Sequence, residues 1–197
     1  MIIIVPSLVG PVVDAGSLAA MPQPELRTQD GLILRPWQAN DVPVVVEAYA
    51  DPAIQQWNMR SMNEVEAAEW IQSWKSSWMA ETDAGWAVVD AESGAVVGRL
   101  GLREIHLAEG QAEVTYWVLT RARGRGFAVG ATVAVCQWAF RTLGLHRIEL
   151  AHSILNVASC RVAIKAGFAL EGVRRSSLLH PDGDWHDMHV HALVNTD

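Results

Sequence analysis

Cysteine is nearly absent from this chain: Cys136 and Cys160 are the only two in 197 residues. That is too few for a disulfide framework, and their spacing matches neither a zinc motif nor a redox pair. Both read as small, buried apolar residues. Charge is also sparse, at 19% against 50% hydrophobic residues, which excludes a compositionally disordered chain. Basic residues number 15 against 22 acidic ones, for a formal net charge of -7. Non-specific nucleic-acid binding is therefore not expected, and any anion site must be local. The opening residues 1–21 are apolar, yet no Lys or Arg precedes Arg27, and Pro6, Gly10 and Pro11 interrupt the run. A signal peptide would need a positive n-region, and a bilayer span would need a longer unbroken run. The default expectation is a cytoplasmic protein without membrane attachment.

No internal repeat or low-complexity linker divides the sequence. The simplest division is an apolar N-terminal extension, residues 1–24, followed by one domain, residues 25–197. Whether the extension docks or hangs loose is open at this stage, as is whether Ile2 to Val5 adds an edge strand.

Periodicity supplies the elements. "LILRPW" (32–37) reads as a first strand, and Asn40 as the N-cap of a helix carrying Val42, Val45, Val46 and Tyr49 until Asp51-Pro52 stops it. Asn63 and Glu66 resemble a capping box. Behind them Ala67, Trp70, Ile71, Trp74 and Trp78 form a helical stripe, expected in the core or as a wall of a cleft. Strands follow at 86–90, 95–106 and 112–119. The next helix is expected to face inward through Val129, Val133, Cys136, Phe140 and Leu143 and to close at Gly144. "HRIELAH" is a strand, "VASCRVAIKA" a short helix, "FALEG" a strand, and "PDGD" a turn joining "VRRSSLLH" to "WHDMHVHALV". This order predicts a mixed α/β (α+β) protein with helices packed on a twisted sheet.

The most concentrated chemistry is "RARGRGFA", residues 121–128, which packs arginine and glycine between a strand and a helix. Unpaired N–H groups at a helix start, with Gly124 and Gly126 letting the main chain curl, make an anion site suited to phosphate. Neither of two commoner nucleotide loops fits: a Walker A loop needs Gly-Lys-Ser/Thr, and a dinucleotide fingerprint needs Gly where Val129 stands. By itself the stretch also reads as a solvated arginine cluster ending a strand.

Together with "NVASCRVAIKAGFALEGVRR" downstream, "AEVTYWVLTRARGRGFA" resembles the GCN5-related N-acetyltransferase (GNAT) superfamily. The resemblance extends from "LILRPWQANDVPVVVEAYADPAI" to the last strand, and "GFALEGVRR" is most similar to the RimJ/RimL-type branch. It implies a mostly antiparallel twisted sheet with helices on both faces and a splayed strand pair forming an acetyl-CoA cleft. It also implies an acetyl-CoA-dependent N-acetyltransferase, with acetyl-CoA as co-substrate, attacked directly by a primary amine in a ternary complex. By position, the Val118 and Leu119 main chain would bind pantetheine. Arg121, Arg123, Gly124, Arg125, Gly126 and Ala128 would hold the diphosphate, and Asn156 would touch the pantetheine arm. Ser159 matches a hydroxyl acid toward the CoA sulfur, set against a helix-start residue satisfying backbone N–H groups. Glu113 matches a strand glutamate used as a base, set against a structural role. A glutamate sometimes found after the branch's "EG" turn has no counterpart in "VRRSSLL".

Amine pKa values order the acceptors. Near pH 7.4, deprotonating a lysine costs about 4 kcal/mol and an α-amine under about 1 kcal/mol, so a weak base suits a protein N-terminus better than a lysine. A carboxylate-lined pocket would instead serve a small-molecule amine. Asp187, His189 and His191 alternate on one strand face, but no further Cys/His cluster completes a shell, so no metal is expected. His152 is a candidate for substrate contact. A CoA-binding module without turnover and a metal-dependent hydrolase are the competing readings, and a homodimer is compatible with the sequence.

Overall fold

The protein is described from a computed structural model covering residues 9–196. Ile2 to Val5, for which the sequence leaves an edge strand open, lie outside the described residues. Eight strands make one sheet in the order β1-β2-β3-β4-β5-β6-β8-β7. They are β1 (Leu26–Arg27), β2 (Leu32–Pro36), β3 (Ala84–Asp90), β4 (Val96–His106), β5 (Gln111–Val118), β6 (Arg147–Ser153), β7 (Ala169–Leu179) and β8 (Trp185–Val194). All neighbours run antiparallel except β5 and β6. Helices α1 (Val42–Ala50), α2 (Pro52–Gln55) and α3 (Glu64–Met79) precede β3, whereas α4 (Phe127–Trp138) and α5 (Val157–Lys165) flank β6.

Alternation along β5 divides the core. Ala112 and Val114 join the cluster beneath α4 and α5, and Trp117 with the following Leu119 joins Val45, Tyr49, Ile54 and Ile71 of α1 to α3. Helices therefore cover both faces of a mixed, mostly antiparallel sheet, as the family resemblance implies. Full burial of a side chain such as Trp86 or Leu100 contributes roughly 2–3 kcal/mol, so this double-sided core carries most of the stability.

Local rules explain several elements. Asn63 accepts from Val65 and Glu66 N–H groups at 2.9 and 3.0 Å while the Glu66 carboxylate takes the Asn63 N–H at 2.8 Å, a reciprocal cap worth about 1 kcal/mol. The stripe of α3 is core rather than cleft wall: Trp78 packs on Trp86 and Trp138, with ring centroids 6.2 and 5.9 Å away.

Other expectations are corrected. Asn40 caps nothing: Asp41 accepts the Gln38 N–H at 2.9 Å and forms a two-pronged ion pair with Arg35, because a buried carboxylate needs a cation. The inward face of α4 is carried by Phe127, Ala131, Val135, Cys136 and Trp138, with Val129, Val133 and Phe140 only partly buried. A π-helical turn over Ala139–Leu143 shifts the register, and Gly144 ends it in the left-handed conformation at φ 85°. "FALEG" and "VRRSSLLH" are one bulged strand, β7, whose pairing with β8 slips between Leu170 and Gly172 and between Arg174 and Leu178.

The described part of the N-terminal extension is docked. Glu81 accepts the N–H groups of Gly16, Leu18 and Ala19 at 2.6, 2.7 and 3.0 Å, and Leu18 is fully buried. Burial pushes the Glu81 carboxyl upward, but the three donors outweigh it and hold the group below its ordinary value. Among the described residues, no helix is long and apolar enough to cross a membrane.

Candidate active site

Strands β5 and β6 pair only through Gln111 with Arg147, Ala112 with Ile148 and Glu113 with Glu149. Beyond that point β5 stays on β4 as far as Val118, and β6 stays on β8 as far as Ser153, so their facing edges part. A cleft of about 710 Å³ occupies the gap. Its walls come from β5, β6, the start of α4, α5, α2 and the β7–β8 hairpin. The Leu119 N–H donates to Val97 at 2.9 Å, which fixes the alternation of the strand. Main-chain groups of Thr115 and Trp117 face β4, and those of Tyr116 and Val118 face the cleft. Leu119 itself is buried with its amide engaged, so on this edge it is Tyr116 and Val118 that offer free N–H groups.

The Arg/Gly stretch forms the corner where the cleft meets α4. Thr120 donates to Asp51 at 2.6 Å and the Ala122 N–H to Leu119 at 2.8 Å, closing a tight turn. Gly124 and Gly126 follow with φ of 81° and 82°, a region L-residues avoid, and a Cβ on either would meet nothing within 4 Å. The N–H groups of Gly124, Arg125, Gly126, Phe127, Ala128 and Val129 donate to no described residue. Consecutive unpaired amides at a helix start suit an anion.

The arginine side chains are placed otherwise than the expectation of a shared polyanion. Arg121 pairs with Glu47, and Arg125 pairs with Asp90 at 3.0 Å while stacking over Phe127. Arg123 reaches the Val118 and Ala53 carbonyls at 3.3 and 3.4 Å. Of the residues expected to hold coenzyme, Val118, Arg123, Gly124, Gly126, Ala128 and Asn156 line the cleft, while Leu119, Arg121 and Arg125 do not. Arg161 and Lys165 of α5, which sequence reasoning missed, supply lining cations on the same side.

Asn156 caps α5, accepting the Ser159 N–H at 3.0 Å. That frees the Ser159 hydroxyl, which shares a hydrogen bond of 2.7 Å with Tyr116. Tyr116 was not singled out from the sequence, and a tyrosine within an apolar strand carries no motif. Burial pushes its hydroxyl up to about 12, against a smaller opposing effect of Ser159, so the pair keeps its protons at neutral pH. Glu113 lines the cleft from the opposite face of β5. Burial raises its pKa, the neighbouring Glu104 and Glu149 add to that, and Arg174 and Arg103 oppose it. Glu149 is itself tied to Arg147 at 2.8 Å and to Arg174 at 3.2 Å.

Histidines cluster beyond this point. His152 lines the cleft and sits opposite His189 in the β6–β8 register. Its Nδ1 faces the Ser153 carbonyl at 2.7 Å and its Nε2 the His191 Nε2 at 3.2 Å. Cys160, only partly buried, joins them, whereas Asp187 instead accepts the Ser176 N–H at 2.8 Å. Ligand-type atoms of His152, Cys160, His189 and His191 thus lie within 4.8 Å of one another, without Asp187. Toward the hairpin, His180 and His186 stack at 3.9 Å, and His180 packs edge-on against Trp57.

A sheet that opens between one parallel strand pair, with unpaired main-chain amides at the corner, is the arrangement that the GNAT resemblance implies. Residues 31–169 match the Acetyltransferase (GNAT) domain, and the chain belongs to that family, as an N-acetyltransferase of the GNAT type. It is 27% identical over 167 residues to the uncharacterized N-acetyltransferase YoaA of Bacillus subtilis, covering 84% of this chain and 94% of that one. Among solved structures, Mycobacterium smegmatis RimJ in complex with CoA-disulfide superposes with a TM-score of 0.77 at 25% identity, covering 87% of this chain and 86% of that one. Spermidine N-acetyltransferase from Vibrio cholerae, in complex with CoA and spermine, shares the fold with a TM-score of 0.74 at 20% identity, over 84% of this chain and 96% of that one.

Proposed function

We propose that this chain transfers an acetyl group from acetyl-CoA to the α-amine of a protein N-terminus, by direct attack in a ternary complex. The carrying observation is the run of unpartnered amides from Gly124 to Val129, opening into the cleft between β5 and β6. These donors suit a diphosphate, Tyr116 and Val118 offer strand-like pairing to a pantetheine amide, and Arg161 and Lys165 suit a further phosphate. Bound acetyl-CoA would supply the activated thioester.

The chain's own groups then divide the proton work. Ser159, held by its hydrogen bond to Tyr116, presents a proton toward the departing sulfur. Tyr116 orients that hydroxyl, and solvent returns the proton that Ser159 gives up. Glu113 accepts the amine proton through water, and its raised pKa brings it nearer to that of an α-amine. Acceptor class follows from charge: Glu113 is the one carboxylate among the lining residues, which also include Arg103, Arg123, Arg161 and Lys165. A polycation finds little purchase there. A single α-amine, neutral in good part near pH 7.4, needs only one weak base.

The test is thiol release from acetyl-CoA with a panel of N-terminal peptides, blocked lysine peptides and polyamines. Turnover confined to free N-termini is expected. Turnover with spermidine and not with peptides would overturn the acceptor assignment, and coenzyme binding without turnover on any acceptor would overturn the catalytic one.

A further inference from the structure

We propose that His152, His189, His191 and Cys160 form a binding site for a transition-metal ion of the Zn²⁺ class, between the sheet and α5. Two histidines spaced i, i+2 on β8 point to one face, and His152 stands cross-strand from His189 on the same face. Cys160 meets them from α5. One ligand atom from each lies within 4.8 Å of all the others. A tetrahedral zinc shell has ligand–ligand edges of about 3.3–3.7 Å, so adjustments on the order of 1 Å close it. His152 Nε2 and His191 Nε2, at 3.2 Å, already stand at such an edge.

The surroundings fit ligation. His152 Nδ1 is tied to the Ser153 carbonyl, which leaves Nε2 with its lone pair toward the cluster. The Nδ1 of His189 is buried and has no hydrogen-bond partner among the described residues. Three imidazoles and a thiolate select zinc or cobalt over magnesium or calcium, which take oxygen ligands. On binding, Cys160 releases its thiol proton to solvent, and His191 carries its ring proton on Nδ1. Four protein ligands close the shell, so the ion clamps α5 to β6 and β8 rather than activating water. Ser159 is next to Cys160, so the clamp also fixes the hydroxyl facing Tyr116.

Tag-free full-length protein, stripped with a chelator and titrated with Co²⁺, tests this independently of acetyl transfer. Expected are visible bands of tetrahedral cobalt saturating at one equivalent, a near-ultraviolet thiolate charge-transfer band, and displacement of both by Zn²⁺. Cys160→Ser should abolish the charge-transfer band, and His189→Ala should weaken cobalt binding at least tenfold, while the exposed His106→Ala changes neither. Far-ultraviolet circular dichroism verifies that each variant is folded, and Cys160→Ser stands alone if His189→Ala is not. The absence of saturable bands in the wild type would overturn the site, as would bands of unchanged strength and shape in both ligand variants.

Discussion

The two walls of the cleft are built by different means. On the α4–α5 side, where we propose that the coenzyme binds, the groups are main-chain amides at a helix start and the capped first turn of α5, each set by residues close in sequence. On the other side Glu113, Arg103, Trp57 and His180 come from strands, the turn after α2 and a hairpin, far apart in the chain. A backbone cradle reads a phosphate whatever side chains surround it, whereas an acceptor pocket is only as specific as its side chains. On the proposed reading the donor half is thus generic, and the acceptor half is where this chain is particular.

Substitutions can break that comparison in order of effect. Because Ser159 and Tyr116 act as a pair, Ser159→Ala and Tyr116→Phe should each lower kcat about 100-fold, and the double variant should fall well short of the product. Multiplicative losses in steady-state kinetics would separate the two hydroxyls. Next, Gly124→Val with Gly126→Val forces β-branched residues into left-handed conformations at about 1–2 kcal/mol each, which should raise the KM for acetyl-CoA roughly 30-fold or more and lower Tm by roughly 4–16 °C. A normal KM would mean that the corner is not the anion site.

Smaller effects probe the scaffold. Glu81→Gln weakens charge-assisted bonds to three amides of the extension and should cost about 1 kcal/mol, near 3 °C in Tm. Because the folded pKa of Glu81 is lowered, its contribution is present above the unfolded carboxyl value and fades as pH falls through the folded one, so the difference should shrink in acid. Glu113 has the opposite sign. Its raised pKa means that stability present below the unfolded value is lost as pH rises through the folded one, so Glu113→Gln should gain of order 1 °C at pH 8 and nothing near pH 4. The same variant should flatten the acidic limb of kcat/KM, and an unaltered limb would remove Glu113 from the proton path.

Legibility from sequence follows the same division. The Asn63–Glu66 box and the Arg/Gly corner are local devices that local patterns reveal, whereas the sequence offers Asn156 only as a pantetheine contact and not as the cap it forms. Tyr116 and Arg161 carry no motif, and only the folded sheet brings Tyr116 to Ser159. The joining of two predicted strands into β7 depends on bulges set by β8, and the inward face of α4 on a π turn that periodicity does not foresee. Cys160 reads from sequence as a small, buried apolar residue because the histidines that surround it are 8 to 31 positions away and on other elements.

Amide resonances report most directly on whether main-chain N–H groups at the start of α4 grip the coenzyme. With isotopically labelled protein, CoA should move the amide protons of Gly124, Gly126 and Ala128 downfield, and pantetheine, lacking the diphosphate, should leave them in place. Saturating CoA binding with those three signals unmoved would contradict the account.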